Sequence, residues 1–184
     1  MKMTLIGKVF SARYFFALKY KILNVLFFPR KLLFKKIGKQ CFIHPLVSIK
    51  NYSLIELGDK NLIHRNVVIW AKIKTGNNIH INPNTCIYGE VEIGSNVMIA
   101  PNVMIASGNH GIALCDLPMI EQNSNIKRPI KIEDDVWIGA NVIITDGVTI
   151  AKGSVIGAGS VVTKDTAENS IYVGNPAYKL KVRK

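Results

Sequence analysis

Acidic residues are absent from the first forty positions of this chain, which nevertheless hold ten lysines and arginines. The net charge of +12 is therefore local, because the remaining 144 residues carry 14 basic against 12 acidic groups. Such a distribution does not describe a basic surface tracking a phosphate backbone, and no nucleic-acid partner is expected. Cysteine is scarce too. Cys41, Cys86 and Cys115 are odd in number and far apart, which excludes a disulfide framework and paired metal-ligand spacing and fits a reducing cytoplasm. Each is expected to pack as a small buried hydrophobe rather than to act as a nucleophile. The basic segment also lacks a long apolar run: its longest uncharged stretch, residues 22–29, falls far below the roughly 18 residues a membrane span needs. No small-residue cleavage site follows an apolar core, so export is not expected.

What that segment does hold is eight of the fifteen aromatics, Phe10, Tyr14, Phe15, Phe16, Tyr20, Phe27, Phe28 and Phe34. Basic residues mixed with bulky apolar ones suit an anionic membrane surface. They suit equally a helical extension packed on the body or on a neighbouring subunit, with its lysines solvated. Lys8, Arg13, Lys19 and Lys21 do not collect on one helical face, so amphipathicity does not choose between the two.

The rest of the chain, 48% hydrophobic overall, is organised by a six-residue period. Leu57, Ile63, Ile69, Thr75, Ile81, Ile87, Ile93, Ile99 and Ile105 form one run, and Ile126, Ile132, Ile138, Ile144, Ile150, Ile156 and Val162 a second in another register. Four residues after many of these stand further inward-suited residues, among them Val67, Ile73, Ile79, Val91, Val97, Val103, Ile130, Val136, Val142 and Val148, with Ser154 and Ser160 continuing the pattern. Six matches neither an amphipathic helix nor an alternating hairpin; it matches a parallel solenoid with six residues to each face and three faces to a coil. Gly94, Gly139, Gly157, Asn96 and Asn141 are expected to supply the corner turns. The runs give about five coils, enough for a stacked core. An offset at residues 51–55 reads as a corner bulge after an early partial coil (Ile43, Ile49), and the 21-residue gap between Ile105 and Ile126 as a loop leaving the coil. That loop contains Asn109, His110, Gly111, Asp116, Pro118, Met119 and Gln122, and loops on rigid scaffolds are common seats of function.

The stretches Ile93-Gly-Ser-Asn-Val-Met-Ile-Ala-Pro-Asn, Val136-Trp-Ile-Gly-Ala-Asn-Val, Ile156-Gly-Ala-Gly-Ser-Val-Val-Thr-Lys-Asp and Gly174-Asn-Pro-Ala resemble the hexapeptide-repeat acetyltransferases, in particular the galactoside, maltose, nodulation-factor and polysaccharide O-acetyltransferases. The resemblance covers roughly residues 57–180 and leaves the basic segment outside. It implies an all-β left-handed parallel β-helix; the usual crossover rule alone would make the coil right-handed. It also implies acetyl-CoA as co-substrate, no metal, and a homotrimer with sites between neighbours.

On this resemblance His110, at the start of the loop, is the general base. The chemistry agrees, since an acceptor hydroxyl is a poor nucleophile until deprotonated and an imidazole with an ordinary value near 6.5 suits that task. Trp137 is expected to cover a sugar ring in the acceptor site. Asn82 aligns with an acceptor-binding asparagine, across an intervening segment one residue shorter than in the galactoside enzyme. Ala140, Ala158, Thr163 and Lys164 occupy the coenzyme A positions: small residues admit the pantetheine arm, Lys164 can balance a phosphate, and the Ala140 amide is the candidate oxyanion donor. For each, a packing, corner or solvated role is the plain alternative. His44, His64 and His80 stand on coils without insertions and read as surface or corner residues. Because neither Ile105 nor Cys115 offers His110 a partner histidine, a γ-class carbonic anhydrase is disfavoured.

The sequence thus predicts a basic extension over residues 1–40, helical or membrane-facing, a β-helix domain over 41–178 with a loop at 106–125, and a basic tail over 179–184. The expected function is transfer of acetyl from acetyl-CoA to a sugar or glycan hydroxyl, in the cytoplasm or at the inner face of the membrane. A xenobiotic acetyltransferase and a non-catalytic β-helix scaffold are the rival readings.

Overall fold

The computed structural model describes Ile22 and residues 29–184. The chain climbs as a solenoid of three-sided coils, each side a short parallel strand with its central aliphatic turned inward. On the first face Ile37, Leu57, Thr75, Ile93, Ile132 and Ile150 stack in register. On the second Ile43, Ile63, Ile81, Ile99, Ile138 and Ile156 do so, and on the third Ile49, Ile69, Ile87, Ile105, Ile144 and Val162. Each column has six rungs where the sequence predicts about five, because Lys36–Ile37 completes the early coil. Burying each of the fully enclosed aliphatic side chains among these contributes about 1.5–3 kcal/mol, Ile37 and Ile49 being only partly buried. Thr75, the one polar residue in the columns, is accommodated because its hydroxyl oxygen accepts from Asn61 Nδ2 at 2.8 Å.

Strands Val68–Thr75 and Cys86–Ile93 run unbroken from the third face round to the first and join both into a ten-stranded sheet; the second face is an eight-stranded sheet. The corner between those two faces is tight: Gly89, at φ +81°, lies where a Cβ would overlap the Ser107 carbonyl. Other corners turn through left-handed asparagines, Asn66, Asn84, Asn102 and Asn141, of which the first three also link by amide hydrogen bonds of 3.3 and 3.0 Å. Gly94, Gly139 and Gly157 are not left-handed. They are required for space instead, a Cβ on Gly139 falling 2.6 Å from the Ala158 nitrogen.

Several boundaries differ from the expectation. The β-helix begins inside the segment set apart as an extension, since Phe34 is buried in the core against Tyr52. Residues set apart as a tail form a strand, Tyr178–Val182, antiparallel to Ser170–Val173, with Arg183 reaching Asp135 at 3.0 Å. Ile126 is exposed rather than inward, and the coil resumes at Ile130–Ile132, so the loop extends to residue 129. Cys41 is buried as expected, but Cys115 is exposed on the loop. The helical and membrane-facing expectations fall mainly on residues 1–28, which, Ile22 apart, lie outside the described residues.

The outer surfaces of the faces are unlike. On the first, Lys36, Glu56, Lys74, Glu92 and Lys131 alternate in sign down the column, a pattern that keeps a surface solvated. Outward on the second stand Met98 and Trp137, register partners that are half exposed, and on the third Ile143 is 41% exposed.

Candidate active site

The loop that carries His110 leaves after Met104–Ala106 and returns before Ile130–Ile132. Its two arms meet in an antiparallel bridge, Asn109 and Asn125 exchanging amide hydrogen bonds of 2.7 and 2.8 Å. His110, exposed, is the next residue outward. Beyond it Gln122 braces the loop from inside, accepting from the Ala113 amide at 2.9 Å and donating to the Ala113 and Leu117 carbonyls, both at 2.9 Å. The outer apolar side chains Ile112, Leu114, Met119 and Ile120 face solvent.

A second feature lies on the corner that follows the second face. Backbone hydrogen bonds stack His44, His64, Asn82, Ala100, Gly139 and Gly157 down this edge, each amide donating to the coil below. The position after each is Pro45, Arg65, Pro83, Pro101, Ala140 and Ala158 in turn. Here the backbone nitrogen points away from the ladder. Three coils fill the place with proline, which has no N–H to satisfy, whereas Arg65, Ala140 and Ala158 keep theirs, and among the described residues nothing accepts from any of the three; Ala140 and Ala158 stand together in consecutive coils at the C-terminal end. With only Ala and Gly side chains at this end of the edge, a ligand could approach the two amides directly.

The predicted residues therefore fall on two edges. Asn82, Ala140 and Ala158 share the corner after the second face, with Trp137 beside them on that face and Asn82 Nδ2 donating to the Ile99 carbonyl at 2.8 Å. The His110 loop, Thr163 and Lys164 belong to the corner after the third face, where Ser107, Asp146 and Lys164 each stand two residues beyond the register-paired Ile105, Ile144 and Val162. A single chain does not bring His110 to Asn82 or to the free amides. His64 is half buried, and that burial, then the nearby His80 and His44, lowers its imidazole below the ordinary value. Among the described residues no group of His, Cys, Asp or Glu is arranged to hold a metal ion.

Residues 72–107 and 129–164 match the profile of the bacterial transferase hexapeptide family (six repeats), passing over the loop. A maltose O-acetyltransferase from Clostridium difficile 630 shares 34% identity, with 84% of this chain and 72% of that one covered at a TM-score of 0.58. The chain belongs to the hexapeptide-repeat family. Among solved structures of similar shape, AntD, an N-acyltransferase from Bacillus cereus in complex with dTDP and 3-hydroxybutyryl-CoA, covers 84% of this chain and 86% of its own at 27% identity and a TM-score of 0.77. The galactoside O-acetyltransferase of Lactococcus lactis is 34% identical over 156 residues, 79% of this chain and 62% of its own length. The chain spans less than two thirds of the curated relatives it matches first.

In this hexapeptide-repeat chain the loop is also held by residues that sequence reasoning passed over. Asp146 is buried and accepts from Ser107 Oγ at 3.3 Å and from the Lys127 amide at 2.9 Å. Arg128 donates to the Gly147 carbonyl and, at 2.7 and 2.6 Å, to both carboxylate oxygens of Asp165. Pairing Ile105 of the first run with Ile144 of the second, across a loop that resets the six-residue period, would have set Ser107 above Asp146.

Proposed function

We propose that the protein transfers acetyl from acetyl-CoA to a hydroxyl of a sugar or glycan, with His110 as the general base. The observation that carries this is the pair of unused amides at Ala140 and Ala158, in the coils that follow a single histidine-bearing loop. Asn82, Trp137 and His110 would hold the acceptor, and Thr163 and Lys164 the phosphate end of the donor. His110 takes the acceptor O–H proton as the oxygen attacks the thioester carbonyl carbon. The Ala140 N–H donates to the tetrahedral oxyanion, an interaction that can lower such a barrier by about 3 kcal/mol. Collapse breaks the C–S bond, and the imidazolium returns its proton to the departing thiolate. No acyl-enzyme forms.

Because one chain sets His110 and the free amides on different edges, the proposed site is completed by a second copy, in a homotrimer. The exposed Met98 and Trp137 on the second face and Ile143 on the third, against the charge-alternating first face, favour contact between copies through the second and third. Residues 1–40 would place the trimer at the inner face of a membrane, and the acceptor would be a lipid-linked glycan or surface-polysaccharide precursor.

A second reading, an amine acceptor on a sugar nucleotide, is favoured by the likeness to AntD, which has also been solved with dTDP-4-amino-4,6-dideoxyglucose and coenzyme A. Thiol release from acetyl-CoA, measured with maltose, lactose and an amino-sugar nucleotide as acceptors, separates the two. O-acetylated product supports the first, N-acetylated product alone the second, and thiol release that stays at the rate without enzyme for all three acceptors would return the scaffold reading to contention.

A further inference from the structure

We infer that Asp146 is the residue that positions the His110 loop, an inference that rests on reading His110 as the base. The insertion interrupts the ladder between the third and first faces, so its two arms leave the solenoid without a sheet to hold them together. Asp146 replaces that sheet. It lies one coil below Ser107 in the same corner column, and one carboxylate holds both arms: Oδ1 accepts from Ser107 Oγ on the outgoing arm and Oδ2 from the Lys127 amide on the returning arm. Ser107 is itself buried, its amide donating to the Tyr88 carbonyl at 3.1 Å, and its carbonyl fills the space left by Gly89. The outgoing arm therefore has no room to slide. On the returning arm, the Arg128 contacts to Gly147 and Asp165 fix the same stretch to the coils below.

The Asn109 and Asn125 bridge is the next rung of this neck, and His110 follows it directly. Past that point the loop is exposed and is braced from within, so the direction in which His110 projects is set at the neck. A base acts only within hydrogen-bond reach of the proton it removes, and a displacement of about 1 Å can cost a factor near 10². Truncation to Asp146→Ala leaves the Ser107 hydroxyl and the Lys127 amide without their partner. Asp146→Asn keeps both links, since Oδ1 can accept from the Lys127 amide while Nδ2 donates to Ser107 Oγ. The two variants therefore separate connectivity from charge.

The test uses the full chain, maltose and lactose as acceptor probes, and amide hydrogen exchange at Asn109 and Asn125. Asp146→Ala should exchange at those two amides at least about tenfold faster and lose about 10- to 100-fold in kcat, with the KM for acetyl-CoA unchanged within about twofold. Asp146→Asn should restore most of both. Unchanged exchange in Asp146→Ala overturns the inference whether or not either probe is acetylated, and so does an Asp146→Asn variant as impaired as the alanine one. Normal turnover in Asp146→Ala beside a dead His110→Ala also overturns it and leaves the base reading intact. Full turnover in His110→Ala with an opened neck in Asp146→Ala removes the base and keeps Asp146 as the holder of the neck.

Discussion

The upper and lower coils share one backbone and one inward column, yet they treat the corner after the second face differently. In three of the four upper coils Pro45, Pro83 and Pro101 remove an amide that the ladder does not use, Arg65 being the exception; in the lower coils Ala140 and Ala158 both retain it, behind side chains of one methyl group. A solenoid built only for stability would gain from proline at every such place, since a compatible proline lowers the entropy of the unfolded chain. Keeping two donors without partners at one end of the edge makes sense if something outside the chain accepts from them.

The comparison loses its meaning if no reaction occurs beside the lower coils, and the largest expected effect tests that. His110→Ala should keep the fold and acetyl-CoA affinity while turnover falls by about 10² to 10⁴, the usual contribution of a general base. Thiol release on an acetylated acceptor reads the rate, and near-normal turnover would remove His110 from its role.

Exchanging the corner residues attacks the comparison directly. Ala140→Pro should fold, because proline already stands at the equivalent place in three other coils. It deletes the proposed oxyanion donor, so kcat should fall about 10² to 10³ with little change in KM for acetyl-CoA. Ala158→Pro removes an amide that the donor's arm would use in ground state and transition state alike. About 1 kcal/mol, or a roughly fivefold rise in KM, is expected. Pro101→Ala, the reverse exchange in an upper coil, should leave both constants alone; if it moves them as much as Ala140→Pro, the distinction between the ends is wrong.

How far the sequence shows all this depends on what kind of signal each part leaves. The period of six is carried by side chains that point inward at every coil, so columns such as Ile81, Ile99 and Ile138 are visible without coordinates. The free amides are not, because Ala140 differs from Pro101 only by a group that must be counted against its ladder. Gly139 looks like a turn residue and is instead a spacing residue, a difference that depends on the approach of Ala158 from the next coil. Asp146 was missed because the loop resets the register, which also turned exposed Ile126 into an apparent core position.

A smaller effect belongs to the asparagine corners. Asn84 holds φ +63° and bonds Asn102 in the coil below, whereas the equivalent place in a lower coil is Gly159 at φ +72°. Asn84→Ala should cost about 1–2 kcal/mol, the usual penalty for a side-chain-bearing residue held left-handed. That is a fall of several degrees in the melting temperature for a domain of this size, while Asn84→Gly should lose less because glycine accepts the conformation.

The smallest effect is a pH dependence that differs between the two ends. In the upper coils His64 titrates below its ordinary value of 6.5 because it is half buried near His80 and His44. As pH falls through 6.5 the unfolded chain takes up this proton first, so stability contributed here is lost from that point down to the folded value. In the lower coils, partial burial would raise the Asp165 carboxyl, but the Arg128 hydrogen bond, the Thr149 amide and the Arg128 charge outweigh it and hold the group below its ordinary 3.8. Its stabilisation is intact above 3.8 and is lost only as pH falls from there through the folded value. Asp165 is largely exposed, so screening keeps its share under about 1 kcal/mol. Amide exchange at about pH 5, between the two ordinary values, should therefore accelerate around residues 62–66 relative to neutral pH, after correction for intrinsic exchange, while residues 147–150 keep their protection. Equal loosening at both ends would show that these two groups do not set the order, and Arg128→Ala should abolish the acid step at the lower end without touching the upper one.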